Sequence, residues 1–205
     1  MRRIPLSRRS HIVGYQSLQG PGLTEHESAL ERDFVTVTAF RDATARIVSQ
    51  PITLSFLEGS RSRRYTPDFL VHRGGGRSEL IEVKYRADLR FQWRQLRPAF
   101  IAARAWAQDH GATFRIATER SIRSPFLQNA KRLLALRATP LDRTLADELR
   151  SAFDSLPDPT FGKLVAAMRH DRAAVLGALW RMIARGELRA DLTTPIGFQS
   201  RLTLP

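Results

Sequence analysis

Apolar and polar positions change period several times along this chain. Leu30, Phe34, Val37 and Phe40 recur at helical spacing, which predicts a helix over 25–40. Thr24 would be its N-cap, with Glu27 three positions later closing a capping box. Thr36, Val37 and Thr38 are weak helix formers and leave the far end loosely set. From Arg46 to Lys84 the period drops to two. Ile47–Val48 lead into a strand at 52–57 after a bend at Pro51, and further strands are expected at 65–71 and 79–84 around the turn Gly74-Gly75-Gly76. Helical spacing returns over 88–109 with Trp93, Leu96, Phe100, Ala103 and Ala107 on one side, a kink expected at Pro98 and a stop at Gly111. A short strand at 113–118 and a helix near 126–136 complete an α-β-β-β-α-β order, the pattern of an α/β fold with a central mixed sheet flanked by helices.

Beyond residue 137 the character changes. A helix at 145–153 is followed by Pro157-Asp158-Pro159, and then Thr160 and Asp171 each stand where a helix should start, at 161–169 and 172–184. Segments 188–192 and 200–204, separated by a Pro-Ile-Gly turn, suggest a hairpin. Helix, tight turn, helix and hairpin together predict a winged-helix-like domain, suited either to DNA or to docking a partner protein. With three arginines on its second helix, Arg172, Arg181 and Arg185, docking is the favoured use. The division expected is an N-terminal arm at 1–24, a main domain at 25–137 and a C-terminal domain at 138–205. The arm has Arg2, Arg3, Arg8 and Arg9 with no acid, which suits phosphate contact and a solvated tail equally.

The 205 residues carry 33 basic against 20 acidic side chains, a net +13, and such an excess favours a polyanionic partner, most often nucleic acid. Between Lys84 and Arg137 twelve basic residues face three acidic ones, so much of the excess lies in that stretch. The absence of cysteine excludes a disulfide scaffold and any Cys-ligated zinc. The arginines at the N-terminus have no apolar run behind them, and no segment approaches membrane-spanning length, so a soluble cytoplasmic protein with no membrane partner is expected. There is no Walker A motif, because Gly74-Gly75-Gly76 lacks the following Lys-Ser/Thr.

Candidate chemistry concentrates around the glycine turn. Asp68 opens one strand, and Glu82 and Lys84 share a face of the next because side chains alternate along a strand. If those strands pair, two carboxylates and an ammonium meet. Hard oxygen ligands with room for water suit Mg²⁺, with Mn²⁺ as a substitute, and a neighbouring lysine can orient an attacking water. Lys84 is one of only three lysines, with Lys131 and Lys163, in a chain whose other basic residues are arginine. A compact ammonium at this position is therefore informative, since arginine does not replace it geometrically.

Pro67-Asp68 and Glu82-Val83-Lys84, fourteen residues apart from Asp to Glu, resemble the PD-(D/E)xK pattern of restriction-endonuclease-like nucleases. Ser28-Ala29-Leu30-Glu31, Gln50-Pro51, Tyr65 to Phe69 and Ile81 to Lys84 are similar to motifs of TnsA-type transposon endonucleases, and the C-terminal domain extends the likeness over nearly the whole chain. The resemblance implies Asp68 and Glu82 as metal ligands, Glu31 as the helix carboxylate of the site, the Val83 carbonyl as a further ligand and Lys84 as the residue that positions water. Glu27, one turn before Glu31, is the rival for the helix position, and Gln50 is a candidate support from the first strand. It also implies a prokaryotic, nucleoid-associated subunit that cuts the 5′ strands of double-stranded DNA at transposon ends. A DDE transposase would process the 3′ ends and an ATPase regulator would recruit both. A stand-alone nuclease of defence or repair, and a catalytically silent DNA-binding scaffold, are the alternatives.

Overall fold

The computed structural model describes residues 29–205 and the backbone of residues 14–17 and 23–26. The rest of the basic arm and Glu27 lie outside the described residues. The chain divides into two compact units, Met1–Arg123 and Ser124–Pro205.

In the first unit, strands β1 (Gly14–Ser17) and β2 (Leu23–His26) form an antiparallel pair. Thr24 therefore pairs across to Gln16 and caps no helix. Helix α1 spans Ala29–Arg41, starting four residues later than the sequence pattern suggests. Leu30 and Phe34 to Thr38 are all buried, so α1 is covered on more than one side and its threonines are not exposed to water. Thr36 satisfies its hydroxyl by donating to the Arg32 carbonyl one turn earlier, at 2.9 Å.

Strand β3 (Arg46–Ser49) follows, then a hairpin of β4 (Leu54–Glu58) and β5 (Arg61–Tyr65), then β6 (Phe69–His72) and β7 (Ser78–Val83). Helix α2 (Arg86–Asp109), strand β8 (Ala112–Ala117) and the short helix α3 (Glu119–Ile122) complete the unit. A four-stranded sheet has the order β3-β6-β7-β8, with β3, β6 and β7 antiparallel in turn and β8 parallel to β7. Together with α1 and α2 this is a mixed α/β arrangement consistent with a restriction-endonuclease-like fold.

Two expectations change here. The first sheet strand is Arg46–Ser49, and the segment after Pro51 leaves the sheet as the separate β4-β5 hairpin. The arginine-rich segment 59–64 is mostly strand rather than turn, because the reversal needs only Gly59, at φ +61°, and Ser60. Helix α2 runs unbroken through Pro98 to Asp109, and Gly111, two residues beyond, holds a φ of +63° that favours glycine.

The sheet has an apolar layer on each face. Phe69, Val71, Ile81 and Val83 pack with Leu30, Phe34 and Val35 of α1. Leu80 and Phe114 pack with Phe100, Ala103 and Ala107 of α2. Trp93 is half-exposed and leans on Phe100 at 6.2 Å, while Trp106 stacks on His110 at 4.1 Å.

The second unit contains α4 (Pro125–Leu136), α5 (Arg143–Asp154), α6 (Phe161–Ala167), α7 (Arg172–Ala184) and the antiparallel pair β9 (Arg189–Ala190) and β10 (Leu202–Thr203). Asp142, Thr160 and Asp171 cap α5, α6 and α7, accepting from the amides of Leu145, Lys163 and Ala174. Helix α4 packs on α7, with Arg132 over the Trp180 ring at 3.8 Å. Buried Asn129 of α4 donates to the carbonyls of Leu192 and Thr194. These contacts put α4 in the second unit, whereas the sequence division grouped it with residues 25–137.

Phe69 is fully buried and stacks on Phe34 at 5.4 Å. Phe69→Ala is expected to destabilise the protein by about 3–5 kcal/mol, read as a lower midpoint in urea or thermal unfolding followed by circular dichroism.

Candidate active site

The pairing of β6 with β7 builds this site. Phe69 lies opposite Ile81, so one further step along both strands sets Asp68 opposite Glu82. Phe69 and Ile81 point into the α1 layer, and the alternation turns Asp68, Glu82 and Lys84 toward the other face. Asp68 Oδ2 accepts the Val83 amide at 2.6 Å, and the Asp68 carbonyl accepts the Gln50 amide at 2.7 Å. Gln50 holds φ +46°, a left-handed conformation uncommon for any residue other than glycine, at the end of β3 beside Asp68.

Glu82 is 3% exposed. Its Oε2 accepts the Tyr65 hydroxyl at 2.6 Å, and its Oε1 lies 3.2 Å from Lys84 Nζ. The Lys84 backbone is fixed separately, its amide donating to the Ala117 carbonyl on β8 at 3.0 Å. Glu31 stands in the first turn of α1, close enough for its charge to act on Asp68.

The electrostatics follow from this crowding. Burial pushes the Asp68 carboxyl well above the usual carboxylate range, and repulsion from Glu82 and then Glu31 adds to it. The Val83 amide and Lys84 oppose the shift without cancelling it. Burial works to lower the Lys84 ammonium, but Glu82 and Asp68 outweigh it and hold the ammonium above its ordinary value. Lys84 is therefore a cation at neutral pH. Burial, and then the neighbouring Glu82, push the Tyr65 phenol far up, so it remains a donor.

Asp68, Glu82 and Lys84 thus share one face, with Val83 beside them and the charge of Glu31 directed at Asp68. Tyr65 is the site residue that sequence reasoning did not assign. It stands three positions before Asp68, yet its contact with Glu82 depends on how the β4-β5 hairpin returns to the sheet, which no local pattern encodes.

Among the described residues no group of three or more His, Cys, Asp or Glu side chains is arranged to hold a metal ion. Asp68 and Glu82 are nevertheless a donor set suited to Mg²⁺, which binds through one or two carboxylates and keeps water or phosphate oxygens at its other positions. The burial and the neighbouring negative charge that raise the Asp68 carboxyl are also what a cation would relieve.

Two outcomes test this electrostatic account. Raising the Asp68 carboxyl makes the native state hold a proton that the unfolded chain gives up, so this group's contribution to stability falls as pH rises through that window. Asp68→Asn keeps an oxygen for the Val83 amide, and in metal-free buffer it should raise the melting temperature at pH 7.5, with the advantage shrinking as pH is lowered. Tyr65→Phe removes a donor to a buried carboxylate and should destabilise by about 1–3 kcal/mol, measured by urea unfolding.

Residues 41–119 match the family model described as TnsA-like endonuclease N terminal. The match spans Gln50, Asp68, Glu82, Val83 and Lys84, with Glu31 and the second unit outside it. No curated protein matches the chain. The segment similar to TnsA-like endonuclease N-terminal domains is thus the one that carries the Asp68–Glu82–Lys84 cluster.

Proposed function

We propose that the chain is a Mg²⁺-dependent DNA endonuclease subunit of a transposase, with a restriction-endonuclease-like catalytic domain. The observation that carries the reading is the convergence of Asp68, Glu82 and Lys84 at one end of the sheet, within the segment that matches TnsA-like endonucleases. Asp68, Glu82 and the Val83 carbonyl would hold the ion, with Glu31 supporting from α1. When bound, Mg²⁺ supplies Lewis-acid stabilisation of charge on the attacking and leaving oxygens of a phosphodiester.

The chain's own residues divide the remaining work. Tyr65 fixes the orientation of Glu82 through its hydroxyl. The Val83 amide does the same for Asp68. Lys84, held protonated, is unsuited to take a proton from water. Its role is to orient the attacking water and to place positive charge beside the phosphate. The net charge of +13 supports double-stranded DNA as the substrate.

The likeness to TnsA supports cleavage of the 5′ strands at transposon ends, alongside a DDE transposase and an ATPase regulator. The capped helices α5, α6 and α7 with the β9-β10 pair support a winged-helix-like second unit, for which we favour protein docking.

The test is strand cleavage on duplexes carrying the transposon ends, reconstituted with the transposase and the ATPase. Asp68→Ala and Glu82→Ala should each lower 5′-strand cleavage by at least about 100-fold, the rate equivalent of a few kcal/mol of transition-state stabilisation. Circular dichroism should show the fold retained. Undiminished cleavage by either variant would overturn the site. Full cleavage by the wild type without either partner would instead identify a stand-alone nuclease.

A further inference from the structure

A second polar concavity lies in the first unit, away from the carboxylates. It is a cavity of about 700 Å³ whose described lining holds Arg41, Arg73, Arg77 and Arg115 and one carboxylate, Glu79. The other described lining residues are serine, threonine and glycine. Glu79 and Arg115 sit where the alternation turns side chains toward the α1 face of the sheet, opposite to Glu82 and Lys84. Ser78, also in the lining, starts β7, whereas Val83 ends it. Glu79 and Glu82 are three residues, about 10 Å of strand, apart. The cavity thus lies toward the start of β7 and, with Glu79 and Arg115, on the other face of the sheet from Glu82.

Its arginines are organised. Glu79 Oε2 accepts Arg73 Nε at 2.6 Å and Oε1 accepts Arg115 Nη1 at 2.7 Å, so one carboxylate fixes two guanidiniums at once. Burial works against the Glu79 charge, but the hydrogen bonds from Arg115 and Arg73 outweigh it and hold the carboxyl below its ordinary range. Each bond engages one nitrogen of its guanidinium, leaving other donors of the planar fork for a ligand. Arg77 is exposed and lies outside these two ion pairs, and the backbone Arg73 amide donates to the Arg77 carbonyl at 2.8 Å, closing the loop that carries both. Among the described lining residues four arginines outnumber one acid, and Asp42, which also acts on Arg73, is engaged by Thr44; the excess of guanidinium charge, at a size within the range of ligand sites, suits an anion.

We infer that this cavity binds phosphate groups, and that their source is the backbone of a DNA segment other than the one held at the carboxylates. Among the described residues the lining has no aromatic or aliphatic side chain on which a base would rest, so recognition falls on phosphate. Position and chemistry both separate the site from the catalytic one, and the inference stands whether or not the carboxylates cut DNA. A free phosphate compound shares the chemistry and is the competing source.

The experiment measures binding by the full chain in metal-free buffer, where no cleavage occurs. The probes are a labelled duplex followed by fluorescence anisotropy across a salt series and inorganic pyrophosphate followed by calorimetry. Arg77→Ala should weaken duplex binding severalfold and lower the slope of log affinity against log salt by about 0.9, one phosphate contact. Glu79→Gln, which removes the opposing charge while keeping shape, should tighten it. Changes of opposite sign in two variants of one cavity do not arise from loss of fold, and melting temperatures check this directly. Pyrophosphate binding that depends on Arg77, with duplex binding unchanged, would keep the phosphate site and assign it to a free ligand. Unchanged binding of both probes in Arg77→Ala would overturn the inference while leaving the test of the carboxylates untouched.

Discussion

The hydrogen bond from the Val83 amide to Asp68 Oδ2 ties together two strands whose register decides everything at the site. With Phe69 opposite Ile81, the apolar side chains of both strands enter the α1 layer and the next pair outward is Asp68 and Glu82. A slip of one residue would turn Glu82 and Lys84 into that layer and move Ile81 and Val83 to the opposite face. Burial of Phe69, Val71 and Ile81 therefore enforces the alignment of the carboxylates. The strand β8, parallel to β7, adds the second constraint by holding the Lys84 amide on the Ala117 carbonyl.

Packing of this kind is needed because the site opposes folding. Asp68 and Glu82 face each other across a strand pair, where like charges are unfavourable, and Glu31 adds a third carboxylate. Tyr65, Lys84 and the Val83 amide compensate in part, leaving Asp68 with a raised affinity for protons. Such a conflict persists only where surrounding structure determines the geometry several times over. The left-handed Gln50, whose amide is committed to the Asp68 carbonyl, is a second local cost at the same place.

How much of this was legible follows from how local each signal is. Asp68, Glu82 and Lys84 could be read because strand alternation and a glycine turn are encoded within twenty residues of one another. Helices α6 and α7 could be read from Thr160 and Asp171, whose caps are likewise local. The β4-β5 hairpin was not legible, because Arg61 to Arg64 are all exposed and show none of the alternation that marks a strand against a core. Strand β2 was obscured by a Thr24–Glu27 spacing that imitates a capping box. An apolar stripe on α4 announces that the helix is buried, but not that its partner is α7 rather than the sheet. Tyr65 needed the tertiary path of the hairpin, and a hydroxyl gives no sequence signal of its acceptor.

The sheet also separates charge. Its α2 face ends in carboxylates at the C-terminal end of β7, and its α1 face bears Glu79 between Arg73 and Arg115 near the strand's start. Only about 10 Å of strand, the three residues from Glu79 to Glu82, lies between them. Opposite faces, rather than distance, keep the two clusters apart: Glu79 takes Arg73 and Arg115 on the α1 side, and Glu82 takes Tyr65 and Lys84 on the other. Placed on one face, the same residues would have paired with one another. The placement of Glu79 one residue before Leu80, on the opposite face from Glu82, thus keeps a cluster of carboxylates and a cluster of arginines apart on one short strand.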